Sequence, residues 1–200
     1  MSARNKVGVL EIVFVIAATV LASAGCRDTP GATALANGNP SATHPATKDL
    51  DEKALIDRFH VLYYSRQPYI NSYLGIESAQ YPNDNWMMQE MIAKLMPDFI
   101  VETGTLAGGT SLFYADILEK VHPRGRVITV DIVDKTQQAA TFRNWRQRVR
   151  FLHGSSVDPA IVERIAGMVR GARTVMVTLD SDHNKGHVLK ELNAYAPMVT

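Results

Sequence analysis

The stretch Phe99-Ile-Val-Glu-Thr-Gly-Thr-Leu-Ala-Gly-Gly-Thr-Ser111 decides the fold of this 200-residue chain. Its β-branched residues Ile100 and Val101 predict a strand that is covered on both faces. Glycines follow where the backbone must turn sharply and let a ligand approach closely. They are Gly104, Gly108 and Gly109. The stretch therefore predicts a buried strand, a tight turn and the N-terminus of a helix, where α/β proteins hold nucleotide-like cofactors.

The residues of the turn narrow the choice of cofactor. Gly109 is followed by Thr110, so the lysine of a P-loop is missing, and Gly104-Thr-Leu-Ala-Gly108 breaks the spacing of a dinucleotide fingerprint. Glu102 lies at the strand end and suits a cofactor that carries positive charge and no pyrophosphate. S-adenosylmethionine (SAM) is such a cofactor. The alternative is a tight strand-to-helix turn that binds no ligand.

Further strands and helices alternate along the chain after this turn. Asp131 ends the second strand, where such folds accept hydrogen bonds from ribose hydroxyls, although an aspartate can also simply start a turn there. The predicted strands cover residues 99–103, 126–131, 150–154 and 174–180, and the predicted helices cover 111–121 and 158–168. Alternation of this kind predicts a parallel sheet with helices on both faces.

Polar side chains fall at the ends of all four predicted strands. Because the carboxyl ends of parallel strands line one crevice, we expect these side chains to lie together. They are Glu102, Asp131, Ser155, Asp180, Asp182 and His183. The fold class expected is therefore a Rossmann-like α/β domain with one crevice along the sheet.

Several motifs, in this order, resemble the cephalosporin hydroxylase/rhamnosyl O-methyltransferase family. The resemblance covers residues 55–200 and rests on Glu102-Thr-Gly-Thr-Leu-Ala-Gly-Gly-Thr-Ser111, Val127-Ile-Thr-Val-Asp-Ile132, Gly154-Ser-Ser156, Leu179-Asp-Ser-Asp-His183 and His187-Val-Leu-Lys-Glu-Leu-Asn-Ala-Tyr195. The resemblance implies the class I fold of SAM-dependent methyltransferases. It also implies methylation of hydroxyl groups with the help of a bound divalent metal.

The resemblance assigns roles to individual positions. Asp182 would bind the metal, Mg²⁺ or a similar cation, and His183 would be the general base. Apart from the resemblance, Lys185 is a second candidate base, and its alternative is a solvated lysine at a helix start. His183 and His187 could instead bind zinc, and for His187 a packing role is the alternative. The residues expected to hold SAM are Glu102, Gly104, Thr105, Gly108, Gly109, Ser111, Asp131, Ser155, Ser156 and Asp180.

Class I methyltransferases usually have seven strands, whereas this sequence predicts four before Thr200. The family takes further metal-binding acids from its fifth strand. The chain is therefore either a fragment or a protein that has lost half of its site. We expect a fragment that lacks the C-terminal strands, because an apolar fourth strand at an open edge is a feature that soluble proteins avoid.

The N-terminal residues predict membrane attachment. Arg4 and Lys6 precede an apolar run over residues 7–25, which ends in Ala22-Ser-Ala-Gly-Cys26. This pattern is typical of a signal peptide of the lipoprotein type, and the run is also nearly long enough for a retained membrane helix. We expect an anchor over residues 1–26, a flexible linker over 27–48 and the methyltransferase-like domain over 49–200. The face of the membrane stays open.

The near-neutral net charge of +1 gives no sign of nucleic-acid binding. The expected function is SAM-dependent O-methylation of a sugar, glycolipid or secondary metabolite, with a small-molecule or glycolipid acceptor and with homo-oligomers left open. One alternative is a membrane-tethered binding protein that keeps the fold without catalysis. Another is an enzyme using NAD or a nucleotide sugar, against which the glycine spacing argues.

Overall fold

A computed structural model describes residues 51–66 and 71–200. The chain divides into two units, and of the described residues one unit holds helix α1 (Glu52–Arg66) while the other holds residues 71–200. The predicted anchor, residues 1–26, and the predicted linker, residues 27–48, lie outside the described residues. The described helices include none with the length and apolar character needed to cross a membrane.

Residues 71–200 begin with a short hairpin and continue with alternating helices and strands. Two short 3₁₀ turns lie at Ala139–Thr141 and Ala196–Met198. The elements in chain order are β1 (Asn71–Tyr73), β2 (Ile76–Ser78), α2 (Pro82–Leu95), β3 (Phe99–Thr103), α3 (Gly109–Val121), β4 (Arg126–Asp131), α4 (Arg143–Arg148), β5 (Val149–His153), α5 (Pro159–Val169), β6 (Val175–Leu179) and α6 (Lys185–Tyr195).

Strands β3 to β6 form one parallel sheet in the order β5-β4-β3-β6. Glu102 in β3 pairs with Thr129 of β4 on one side and with Thr178 of β6 on the other. The chain thus builds outward from β3 to β5 and then returns to the other side of β3. Such a reversal opens a crevice at the carboxyl ends of β3 and β6, where α/β proteins bind ligands. The predicted Rossmann-like fold is confirmed.

The strand side chains alternate between two apolar layers, as the two-residue period of a strand requires. Val101 and Val177 pack on the side of α5 and α6, together with Ile165. Their neighbours Ile100 and Met176 pack on the opposite side, with the residues of α2 and α3. Both faces of the sheet are therefore covered, which explains why its strands are nearly continuous apolar runs.

The hairpin of β1 and β2 is an element that the sequence analysis did not predict. Its two-residue turn uses Leu74 and Gly75, whose φ angles of 51° and 81° match the turn type that favours tight hairpins. Ile76 packs with Leu112 of α3, and Ser78 Oγ lies 2.8 Å from the hydroxyl oxygen of Thr110. The hairpin is thereby fixed to the start of α3, beside the glycine-rich turn.

Candidate functional site

A cavity of about 510 Å³ lies at the carboxyl end of the sheet. Its size is within the range of small-molecule sites, and it is bordered by the exits of β3, β4, β5 and β6. The residues predicted for the site that line it are Gly104, Asp131, Ser155, Ser156, Asp180, Asp182 and His183. Of the six polar residues expected to meet in one crevice, all but Glu102 line this cavity, and Gly104 and Ser156 line it as well. Their roles in binding and catalysis stay predictions.

Asp131 is held in a fixed orientation at the end of β4. Its Oδ2 accepts a hydrogen bond from the backbone N–H of Leu106 at 2.9 Å, and its Oδ1 accepts one from the N–H of Val133 at 3.0 Å. A carboxylate has about four acceptor positions, so two of them remain for a ligand in the cavity. Asp131 can therefore accept hydrogen bonds from a pair of hydroxyl groups.

Asp180 follows β6 and lies on the opposite side of β3. The side-chain amide of Gln80 donates a hydrogen bond to its Oδ2, and Nε2 of His183 lies 3.7 Å from its Oδ1. Burial is the main cause that raises the pKa of Asp180 to about 7. The Gln80 hydrogen bond opposes this rise, and the nearby carboxylates of Asp84 and Glu191 add to it. Asp180 is therefore a carboxyl group that can change its protonation state near neutral pH.

Glu102, which was predicted to bind the cofactor, does not line the cavity, and neither do Thr105 and Ser111. It is buried and accepts hydrogen bonds from Ser111 Oγ and, at 2.7 Å, from Thr129 Oγ1. Thr105 joins the same network through a 2.6 Å contact between its hydroxyl and that of Thr129. Burial is the main cause that raises the pKa of Glu102, which reaches about 8 although the two hydroxyl donors oppose the rise. For Glu102, Thr105 and Ser111 the cofactor-binding role stays a prediction.

The glycines of the turn are required mainly by packing against other parts of the protein. A Cβ atom at Gly108 would lie 2.5 Å from the ring of Trp145, and one at Gly109 would lie 2.6 Å from the carbonyl oxygen of Ile76. Of the three glycines, only Gly104 lines the cavity. Gly108 and Gly109 thus give space to a side chain and to the hairpin, and any contact of theirs with a cofactor would use backbone atoms.

Asp182, His183 and Lys185 differ in their access to the cavity. Asp182 and His183 line it, whereas Lys185 is an exposed residue at the start of α6 and does not. Asp182 Oδ1 accepts hydrogen bonds from the backbone N–H of Asn184 at 2.9 Å and from its side chain, and the backbone bond in particular lowers the pKa of Asp182. His183 is therefore the better placed of the two candidate bases.

A complete metal site is not found in residues 51–66 and 71–200, where no group of three His, Cys, Asp or Glu side chains is arranged to hold an ion. Asp182 offers one exposed carboxylate. His183 and His187 both line the cavity, but among the described residues they lack the further ligands of a zinc site. Binding of Mg²⁺ by Asp182 stays a prediction.

Sequence reasoning missed four polar residues that the site region uses: Gln80, Ser181, Glu191 and, in its observed role, His187. His187 lines the cavity and shares a 3.1 Å hydrogen bond with Ser156 Oγ, and Glu191 is buried beside it. The spacing of four residues between His187 and Glu191 was a usable signal, because it places both on one face of a helix. Gln80 gave no such signal, since it meets Asp180 only through tertiary structure.

Comparison with known proteins gives a consistent set of matches. Residues 65–200 match the family model for rhamnosyl O-methyltransferase/CmcI. The rhamnosyl O-methyltransferase of Mycobacterium tuberculosis (strain ATCC 25618 / H37Rv) is 31% identical over 149 residues, which cover 74% of this chain and 60% of that protein. The rhamnosyl O-methyltransferase of Mycobacterium leprae (strain TN) is 29% identical over 150 residues, which cover 74% of this chain and 64% of that protein.

The chain therefore spans about 60% of the length of the curated relatives it matches. Among solved structures, one described as "cmcI-D160 Mg-SAM" is similar at 19% identity with a TM-score of 0.49, and the match covers 61% of this chain and 50% of that one. The family match includes all the residues that line the cavity.

Proposed function

Because the chain belongs to the rhamnosyl O-methyltransferase/CmcI family, we propose that it transfers the methyl group of SAM to a hydroxyl group of a sugar, glycolipid or secondary metabolite. The observation that carries this proposal is the cavity over the crevice between β3 and β6, with the oriented carboxylate of Asp131 at its edge. The activity of the whole protein is part of the proposal, because the chain matches only part of its relatives.

The chemistry of the cavity fits SAM, whose sulfonium carries a positive charge. Three carboxyl side chains line the cavity, and its described lining contains no lysine or arginine. Asp131 would bind the ribose hydroxyls, and the serines at the exit of β5 would offer further hydrogen bonds. The carboxyl residues are Asp131, Asp180 and Asp182.

When bound, SAM would supply an electrophilic methyl group, and the protein would have to orient an acceptor hydroxyl and remove its proton. His183 reaches the cavity with a side chain that is 44% exposed, so it can meet an acceptor that enters from solvent. A neutral imidazole can take a proton at neutral pH. The carboxyl group of Asp180, 3.7 Å from Nε2, can stabilise the imidazolium that results.

We also propose that Mg²⁺ assists the reaction, with Asp182 as one ligand. The exposed, ionised carboxylate suits a hard cation that keeps several waters and uses one or two carboxylates. A bound cation would lower the pKa of an acceptor hydroxyl. The remaining ligands would come from water, the acceptor or residues outside the described set.

We further propose that the acceptor is a hydroxyl group of a sugar or glycolipid and that the protein is associated with a membrane. The relatives from two Mycobacterium species are named rhamnosyl O-methyltransferases, which supports a sugar hydroxyl as the acceptor. A glycolipid acceptor would agree with the membrane anchor predicted over residues 1–26.

Isothermal titration of the chain with SAM tests the proposal. We expect a Kd in the micromolar range, and we expect Asp131→Ala to weaken binding by about 10- to 100-fold, because ribose hydroxyls lose their acceptor. The matched control is Glu163→Ala, which removes an exposed acid of α5 that does not line the cavity. Binding of NAD without binding of SAM would refute the proposal. Binding of SAM without methyl transfer to any glycolipid or sugar would favour the non-catalytic alternative.

A further inference from the structure

We propose that His187, Glu191 and Tyr195, on one face of α6, are positioning residues that hold the exits of β5 and β6 as walls of the cavity. The three are spaced four residues apart, so they lie one above another on the helix. The inference rests on the proposed function only in naming SAM as the ligand of the cavity.

The exit of β5 is held at two atoms of one residue. His187 Nε2 lies 3.1 Å from Ser156 Oγ, and the Tyr195 hydroxyl donates a 2.8 Å hydrogen bond to the backbone carbonyl of Ser156. Ser156 lines the cavity and is only 5% exposed. Two bonds from separate turns of α6 fix both the side chain and the backbone of Ser156, so this wall cannot shift without breaking them.

The exit of β6 is held by Glu191. Ser181, which lines the cavity, donates a 2.6 Å hydrogen bond from its hydroxyl to Glu191 Oε1. The same carboxylate oxygen lies 3.5 Å from His187 Nε2. Glu191 therefore connects the two walls: it bonds to Ser181 at the exit of β6, and it contacts His187, which bonds to Ser156 at the exit of β5.

A glutamate at position 191 is expected to stabilise the fold less than an apolar residue would. It is 1% exposed, and a carboxylate removed from water costs free energy that neutral hydrogen-bond donors only partly recover. An apolar residue at this position could pack against Tyr195 and Leu192, which belong to the core on this side of the sheet. A buried acid that contacts two residues at the cavity, Ser181 and His187, is better explained by the geometry it imposes on them.

The first test separates positioning from stability by replacing Glu191. In Glu191→Leu we expect the Tm to stay within about 2 °C of the parent or to rise, while the Kd for SAM rises about 10-fold because Ser181 is released. Glu191→Gln keeps an oxygen that accepts from Ser181, and it should bind SAM within about twofold of the parent. Asn193→Ala, an exposed residue of the same helix, is the control and should change neither quantity.

The inference fails if Glu191→Leu binds SAM like the parent. It also fails if the Kd and the Tm worsen together in that variant and Glu191→Gln restores only the Tm, because Glu191 would then serve stability alone.

The second test needs no ligand and uses His187. Hydrogen exchange of the amides at residues 154–158 should become about 10-fold faster in His187→Leu, since one of the two bonds to Ser156 is lost. His187→Gln retains a side-chain amide that can hydrogen-bond with the Ser156 hydroxyl in either direction, and it should restore slow exchange. Equal exchange in the parent and in His187→Leu would refute the inference. If the parent binds no SAM while the exchange results hold, the proposed function fails and the positioning role of α6 stands.

Discussion

Replacing Gly104 with alanine tests whether the crevice depends on the close approach of two strand ends. Gly104 follows β3 with a φ of +84°, and a Cβ atom there would meet the backbone carbonyl of Asp180, lying 2.6 Å from its carbon atom. Ser181 Cα would be 2.9 Å away. These neighbours are backbone atoms, so the contact cannot be relieved by a rotamer change. The exit of β6 would have to move.

The expected loss has two components. Placing an L-residue at this φ costs about 1–2 kcal/mol, and inserting a methyl group into a packed region costs about 1–3 kcal/mol more. We therefore expect Gly104→Ala to lower the free energy of unfolding by about 2–5 kcal/mol. Since Asp180 and Ser181 line the cavity, the affinity for SAM should fall as well.

Gly75→Ala is the matched control, because Gly75 has nearly the same φ, +81°, and nothing lies within 4 Å of its Cβ position. It should lose only the conformational component, about 1–2 kcal/mol. Urea denaturation at equilibrium measures both losses, and titration with SAM measures the accompanying change in affinity. If the two variants lose the same free energy of unfolding, the packing of Gly104 against Asp180 does not constrain the crevice and the reasoning is wrong.

Three further predictions concern single side chains. Asp182→Ala should abolish stimulation of methyl transfer by Mg²⁺ while the Kd for SAM stays unchanged, and a parent enzyme indifferent to EDTA would exclude the metal. His183→Ala should lower kcat by about 10²–10⁴-fold with little change in the Kd for SAM, and Lys185→Ala should lower it far less. The Glu102 pKa of about 8 exceeds its ordinary value of 4.5, so its share of the stability is full below pH 4.5 and is lost as the pH rises to about 8. Glu102→Gln should remove that decline in urea denaturation at pH 5 and pH 8.5, and an unchanged decline would contradict the assignment.

The order of strands and helices could be predicted from local patterns. The predicted strand over residues 174–180 corresponds to β6 (Val175–Leu179), and the predicted helix over 158–168 corresponds to α5 (Pro159–Val169). Buried parallel strands are apolar runs that end in polar residues, so their limits are visible in the sequence. Because the carboxyl ends of parallel strands lie at the same edge of a sheet, the predicted strand ends also predicted where the crevice lies.

Local patterns could not predict which of the polar residues line the cavity and which are buried in hydrogen-bond networks. Glu102 and Asp131 both end strands, yet one is buried in a hydroxyl network and the other faces the cavity. Their difference depends on the donors that tertiary structure brings to each carboxyl group: the hydroxyl of Ser111 in α3 reaches Glu102, whereas backbone N–H groups hold Asp131. The hydrogen bond between Gln80 and Asp180 joins residues 100 positions apart, and no local pattern encodes such a pair.

The glycine-rich turn was the strongest sequence signal, and its physical basis is broader than ligand binding. Gly109 admits the backbone of β2, and Gly104 admits the backbone after β6. Gln80, shortly after β2, then bonds to Asp180, so the hairpin and the exit of β6 are connected beside the same turn. A missing Cβ in such a turn thus brings two chain segments close enough to form a wall of the cavity. It follows that the hairpin, which contains no residue predicted for the site, supports the cavity wall at Asp180 through its packing on Gly109 and through the neighbouring Gln80.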